Sequence, residues 1–202
     1  MIAVGIDTDM HKMAVAMVGF DHEATVRHVT PLGAWVVRHG VDGAIGRDAI
    51  LAMNNAFVTF LGVTPLHVDA LGGLWNPIFV IEHQSVVYTA KEGKNPQNIV
   101  NLSAVSGLVC GQLKMLYSNG AVLLPSPNDW KQSQPKRINQ PRTYAKFGWQ
   151  HEIRATGKNR YAAPVPLPKD LPGSDTWTMS DWKHIGDAFG LALHGVKACC
   201  QL

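Results

Sequence analysis

The chain is poor in the residues that build covalent or metal-bridged scaffolds. Its 202 residues include three cysteines, Cys110, Cys199 and Cys200. An odd count with an adjacent pair gives no disulfide framework and fits no zinc spacing. They are expected as reduced thiols of a cytoplasmic protein. Charged residues are also few, 16% against 46% hydrophobic. That balance excludes a disordered polyelectrolyte and fits a folded core. No apolar run reaches the roughly 20 residues of a membrane span, so no membrane partner is expected. The N-terminus lacks the basic-then-apolar order of a signal peptide. With no internal repeat and no second domain visible, residues 1–202 read as one domain. A basic, proline-rich and insertion-like stretch covers about 131–175.

Acid is scarce in one place above all. Residues 131–160 hold Lys131, Lys136, Arg137, Arg142, Lys146, Arg154, Lys158 and Arg160 against one acid, Glu152. That window carries +7, so a chain of net charge +3 leaves −4 for the remainder. Tyr144, Phe147 and Trp149 are interleaved. Such a surface attracts phosphate backbones through ion pairing and counterion release. A solvated basic loop is the alternative reading.

Local patterning gives an α/β chain. Residues 2–6 and 13–18 read as strands, with a third over 24–29, in an antiparallel meander. Residues 48–61 read as a helix with Ile50, Leu51, Phe57, Val58 and Leu61 on one face. Pro65 and Gly72-Gly73 punctuate a loop, and residues 78–81 form a short buried strand. A second helix covers 98–117, where Ser106, Gly107 and Gly111 are expected to let it approach the sheet closely. A strand over 121–124 stops at Pro125. Residues 162–175, with four prolines, read as an extended irregular loop. In the last helix Ser180 is the expected N-cap and Asp181 complements the dipole. Trp182, Ile185, Phe189, Leu193 and Val196 form its apolar stripe. Gly186 and Gly190 bring its backbone close to a neighbour.

Four polar residues stand out against this pattern. Asp7 closes the run Ile2-Ala3-Val4-Gly5-Ile6, and Glu82 closes Ile78-Phe79-Val80-Ile81. His184 and Asp187 are three apart on the last helix and point at one spot. Acids at the ends of buried strands repel one another unless cations hold them. Three carboxylates and an imidazole can hold two divalent ions about 3.5–4 Å apart, suited to in-line phosphoryl displacement. Hard oxygen donors favour Mg2+, with Mn2+ a good substitute beside one imidazole. Each residue also has a plainer reading: a turn cap for Asp7, surface charge for Glu82 and Asp187, a packed histidine for His184.

The order strand–Asp, strand–Glu and a final helix with His184-Ile185-Gly186-Asp187-Ala188-Phe189-Gly190-Leu191-Ala192-Leu193 resembles the RuvC-type Holliday junction resolvases of the ribonuclease H-like superfamily. Ala3-Val4-Gly5-Ile6-Asp7 and Val80-Ile81-Glu82-His83-Gln84 are the other matching segments. Pro127-Asn128-Asp129-Trp130-Lys131 is similar to the family's Pro-x-x-x-Lys stretch. The resemblance implies a mixed five-stranded sheet flanked by helices, and a homodimer that cuts four-way or branched DNA to leave 5′-phosphates. It implies metal ligands at Asp7, Glu82, His184 and Asp187, and a catalytic lysine at Lys131. Lys136 or Arg137 can share the lysine's role. DNA contacts are expected at Lys131, Lys136, Arg137, Arg142 and Lys146. The divergence of the turn after Asp7 fits a bacteriophage member. A nuclease for RNA–DNA hybrids or flaps and a non-catalytic DNA-binding scaffold remain alternatives. Gly5-Ile6-Asp7-Thr8 also resembles the phosphate loop of actin-like kinases and ATPases, but the chain is short for that two-domain fold.

Overall fold

The structure is a computed structural model that describes residues 1–21, 29–64, 66, 77–83, 96–131, 134–156 and 159–200. Strands β1 (Ile2–Thr8), β2 (Lys12–Phe20) and β3 (Val29–Arg38) form an antiparallel meander. Helix α1 (Gly46–Val63) leads to β4 (Ile78–Ile81), which lies parallel to β1. Helix α2 (Pro96–Leu116) leads to β5 (Ala121–Leu123), parallel to β4. The sheet order is β3-β2-β1-β4-β5. This is the mixed five-stranded sheet expected from the sequence.

Period-two alternation divides the sheet into two faces. Ile2, Val4 and Ile6 of β1, with Phe79 and Ile81 of β4, pack with Met53, Phe57, Val105, Val109 and Leu113 of α1 and α2. Ala3 of β1 and Ile78 and Val80 of β4 pack on the opposite face against α5 (Trp182–Cys200). A Cβ at Gly5 would overlap the carbonyl of Ala188 and lie 2.5 Å from the Ala192 nitrogen. Glycine is required there because α5 rests on β1 almost backbone to backbone.

Several expectations change. The third strand among the described residues is β3, which begins at Val29; residues 24–28 of the expected strand lie outside the described residues, as do Pro65 and Gly72-Gly73. Pro31 and Gly33 hid β3 from pattern reading. An edge strand tolerates both, with a register shift opposite Met17 and Val18. The basic window folds as α3 (Pro127–Lys131), α4 (Lys136–Lys146) and the hairpin β6 (His151–Thr156)–β7 (Asn159–Pro164). The start of the expected irregular loop, 162–164, is therefore strand. Ser180 is not the cap of α5. Thr178 caps a 3-10 turn, Met179–Asp181, and its N–H donates to Asp181 Oδ2 at 2.8 Å before the chain enters α5. Gly107 and Gly111 face open space among the described residues, so neither draws α2 inward. Along Gln97–Leu116 helix α2 is long and apolar enough to match a spanning segment by length and composition. Its Val105, Val109 and Leu113 nevertheless lie in the core beneath the sheet.

Candidate functional site

Parity and register bring the two strand-end acids together. The parallel ladder pairs Ile6 with Ile81, and the Glu82 N–H donates to the Ile6 carbonyl at 3.1 Å. Asp7 and Glu82 follow on adjacent strands, each two residues beyond a side chain or glycine that faces α5 (Gly5, Val80). Both carboxylates therefore leave the sheet on the α5 face. Ser106 of α2 holds the strand end from the other side, donating to the Glu82 carbonyl at 3.0 Å.

Helix α5 brings the other two. His184 Nδ1 lies 2.8 Å from Asp7 Oδ2. Asp187, one turn later, is buried and faces the same spot. The acids meet through lysine. Lys131 Nζ lies 3.3 Å from Glu82 Oε2 and 3.6 Å from Asp187 Oδ2. Lys136 Nζ lies 2.7 Å from Asp187 Oδ2 and donates to the Lys183 carbonyl at 2.7 Å. Trp130 Nε1 donates to Glu82 Oε2 at 3.0 Å. Gln140 is fully buried; its Nε2 donates to Asp187 Oδ1 at 2.9 Å, and its Oε1 accepts from the Ala162 N–H at 2.9 Å.

The glycines of α5 explain these approaches. A Cβ at Gly186 would lie 2.9 Å from Gln140 Nε2 and overlap the Tyr144 hydroxyl. A Cβ at Gly190 would lie 2.5 Å from the Trp130 ring. Close contact of α3 and α4 with α5 thus depends on two residues that lack side chains.

The electrostatics are those of a cluster that attracts cations. Burial pushes the Asp7 carboxyl up, but the hydrogen bond from His184 and the charge of Lys136 bring it below its ordinary value. Burial and the charge of Asp7 raise the Glu82 carboxyl, and Lys131 offsets only part of that. Lys136 is destabilised as a cation by burial, yet the Asp187 and Asp7 carboxylates hold its pKa above the ordinary value. The donor set of three carboxylates and an imidazole suits Mg2+ or Mn2+. Two ammonium groups now supply the balancing positive charge. In this arrangement no three acid, histidine or cysteine side chains among the described residues surround one ion position.

The expected DNA contacts divide between sites. Lys131 and Lys136 point into the acids. Arg137 lines a cleft of about 590 Å³ beside His184, together with Arg160 and Lys183. Arg142 and Lys146 line a separate cavity beside α5. Sequence reasoning missed Gln140 and Trp130. Gln140 lies four residues after Lys136, a helical spacing, but Pro141 inside α4 argued against a helix there.

No protein-family model and no curated protein match the chain. Solved structures do. The chain is similar to T. thermophilus RuvC in complex with a Holliday junction substrate, with a TM-score of 0.57 and 13% identity, covering 98% of this chain and 95% of that one. It is similar to a further Thermus thermophilus RuvC structure with a TM-score of 0.58 and 15% identity, at the same coverage. Matched over nearly its whole length, this mixed sheet with its flanking helices has the RuvC-like form of the ribonuclease H-like fold.

Proposed function

We propose that this protein is a metal-dependent endonuclease that resolves four-way (Holliday) or otherwise branched DNA junctions, a crossover junction endodeoxyribonuclease. The observation that carries the reading is the convergence of Asp7, Glu82, His184 and Asp187 on one face of a RuvC-like sheet, with lysines between them. Asp7, Glu82, His184 and Asp187 are the residues that would hold two Mg2+ or Mn2+ ions. Such ions activate the attacking water and stabilise the leaving oxygen of the phosphodiester. Gln140 fixes the Asp187 carboxylate, and His184 and Asp7 orient each other. Ions held by these residues would take the place of the Lys136 ammonium on Asp187, and the Lys136 side chain is 33% exposed. Lys131, freed from Glu82, faces the scissile phosphate and steadies its developing charge.

Branched DNA is the substrate favoured by the basic surfaces on both sides of the acids and by the junction bound to the similar RuvC. Two symmetric cuts require two sites, so the working form is a homodimer. The outward face of α2 carries Val100, Leu108, Met115 and Leu116, all exposed, and supplies an apolar surface for a second copy. The test is a panel of labelled four-way junction, flap, RNA–DNA hybrid and duplex with Mg2+. The expected result is paired cuts in the junction, leaving 5′-phosphates. Cutting of hybrid or flap without junction cutting would move the assignment to the alternative nuclease. Binding with no cutting of any substrate would leave a DNA-binding scaffold.

A further inference from the structure

Trp130 of α3 touches two residues of the site with different parts of one ring. Its Nε1–H donates to Glu82 Oε2 at 3.0 Å. Its face carries the Lys131 ammonium, with Nζ 4.7 Å from the ring centroid. We propose that Trp130 is a positioning residue that holds Glu82 as a metal ligand with its edge and Lys131 at the site with its face. This rests on the two-ion reading above, and adds to it the group that keeps both side chains in place once ions are bound.

The ring is itself held at both ends. The His83 N–H donates to the Pro125 carbonyl at 3.0 Å, so the segment that leads into α3 is tied to the residue after Glu82. The first turn of α3 is closed on itself: the Ser126 N–H donates to Asp129 Oδ2 at 2.7 Å, and the Asp129 N–H donates to the Ser126 carbonyl at 3.0 Å. The benzene end of the indole is seated on α5 at Gly190, where a Cβ would come within 2.5 Å of Cζ3. With that end against α5, the pyrrole end and its N–H reach the end of β4. Trp130 is also packed against the core on the α5 face of the sheet.

The partners of Glu82 differ in what they do when cations arrive. Lys131 carries a positive charge, so an incoming ion repels it. The indole N–H is a neutral donor and takes one of the roughly four acceptor directions of a carboxylate. It fixes the carboxylate without competing for its charge. Neutral outer donors of this kind orient metal ligands. Gln140 Nε2 makes the corresponding bond to Asp187 Oδ1 at 2.9 Å, so two of the acids each have a neutral holder.

The face of the ring acts on the other side chain. Lys131 Nζ donates to Glu82 Oε2 at 3.3 Å, and that attraction weakens once an ion neutralises the carboxylate. An indole face attracts an ammonium whatever the charge of the acids. It therefore keeps Lys131 beside the site after Glu82 has released it. Edge and face can be separated by substitution, because phenylalanine keeps a π face without the N–H and leucine keeps neither.

The test compares wild type, Trp130→Phe and Trp130→Leu in the full chain. Mn2+ binding is measured without DNA by electron paramagnetic resonance, and single-turnover cleavage of a four-way junction is followed across Mn2+ concentration. Both variants should bind Mn2+ about tenfold more weakly. The rate of Trp130→Phe should climb as Mn2+ is raised, and that of Trp130→Leu should level off several-fold below it. Trp130→benzothienylalanine replaces the N–H by sulfur in a ring of nearly the same shape, and should match Trp130→Phe even where the smaller side chains disturb folding. Wild-type Mn2+ affinity in the phenylalanine and benzothienylalanine variants would overturn the role of the edge. Equal plateau rates for phenylalanine and leucine would overturn the role of the face. If wild type binds no Mn2+, the two-ion reading fails and the hold on Glu82 falls with it. If wild type binds Mn2+ but cuts no junction, the junction reading fails and the role given to the face falls with it, and Mn2+ affinity still decides the edge.

Discussion

Lys136 Nζ lies 2.7 Å from Oδ2 of Asp187, so a side chain of the basic helix α4 stands among the acids that are the candidate metal ligands. A lysine there neutralises the cluster and competes with any incoming cation. Removing it should have opposite effects with and without metal. Lys136→Met is expected to lower metal-free stability by about 2 kcal/mol, since it leaves a buried carboxylate with fewer partners. It should tighten Mn2+ binding by roughly tenfold, about 1.4 kcal/mol. Urea unfolding with and without Mn2+ measures both. Equal Mn2+ affinity in variant and wild type would show that Lys136 is no competitor.

Gln140 joins three elements through one amide: α4, the Ala162 N–H on β7 and the Asp187 carboxylate on α5. Gln140→Leu keeps the volume but orphans a buried donor and a buried acceptor. The expected loss is about 3 kcal/mol of stability, from roughly 1–3 for each unpaired group. Gln140→Glu instead sets a second carboxylate beside Asp187, and should bind Mn2+ differently from wild type even where the protein stays folded. A leucine variant as stable as wild type would remove Gln140 from the framework of the site.

Asp181 ties the entry to α5 to the meander. It accepts from Lys12 at 2.9 Å and from Arg38 at 2.6 Å. Burial pushes its carboxyl up; the backbone N–H of Thr178, the Lys12 ammonium and the Thr178 hydroxyl outweigh burial and bring the pKa to about 2. The unfolded carboxyl titrates near 3.9. Between those values the unfolded state binds more protons, so this contribution is fully present above about pH 4 and disappears as pH falls through about 2. It is worth about 2–3 kcal/mol before solvent screening and less after it. Asp181→Asn should therefore flatten the stability curve between pH 4 and 2. Parallel acid-unfolding curves for variant and wild type would contradict this.

Gly5 fixes how closely α5 approaches β1. Gly5→Val is expected to yield little folded protein, because the new side chain would meet the Ala188 carbonyl and the Ala192 nitrogen. Gly107→Ala in α2, where nothing lies within 4 Å among the described residues, should be neutral or stabilise by up to about 1 kcal/mol. Comparing soluble yield and melting temperature separates the two glycines. A well-folded Gly5→Val would mean that α5 sits elsewhere.

Much of this arrangement was legible in the chain. The buried runs ending in Asp7 and Glu82 marked β1 and β4, and the spacing of His184 and Asp187 marked one face of α5. Alternation alone puts Asp7 with Ala3 and Gly5, on the face away from Ile2, Val4 and Ile6. What pattern could not show came from tertiary context. Pro31 and Gly33 disguised an edge strand, and Pro141 disguised the helix that carries Gln140. The basic window was legible as charge but not as partnership. Lysines at spacings suited to phosphate contact turn out, at Lys131 and Lys136, to face carboxylates from other elements. That depends on how α3 and α4 dock on Gly186 and Gly190, a long-range property that local periodicity does not contain.

The most direct measurement of the central claim is single-turnover cleavage of a four-way junction in Mg2+ by wild type and by Asp7→Asn, with junction binding followed in parallel. The account predicts paired cuts by wild type, and a loss of at least about a hundredfold in Asp7→Asn with binding retained. Cutting by Asp7→Asn at the wild-type rate would contradict the assignment of the acid cluster as the site of hydrolysis.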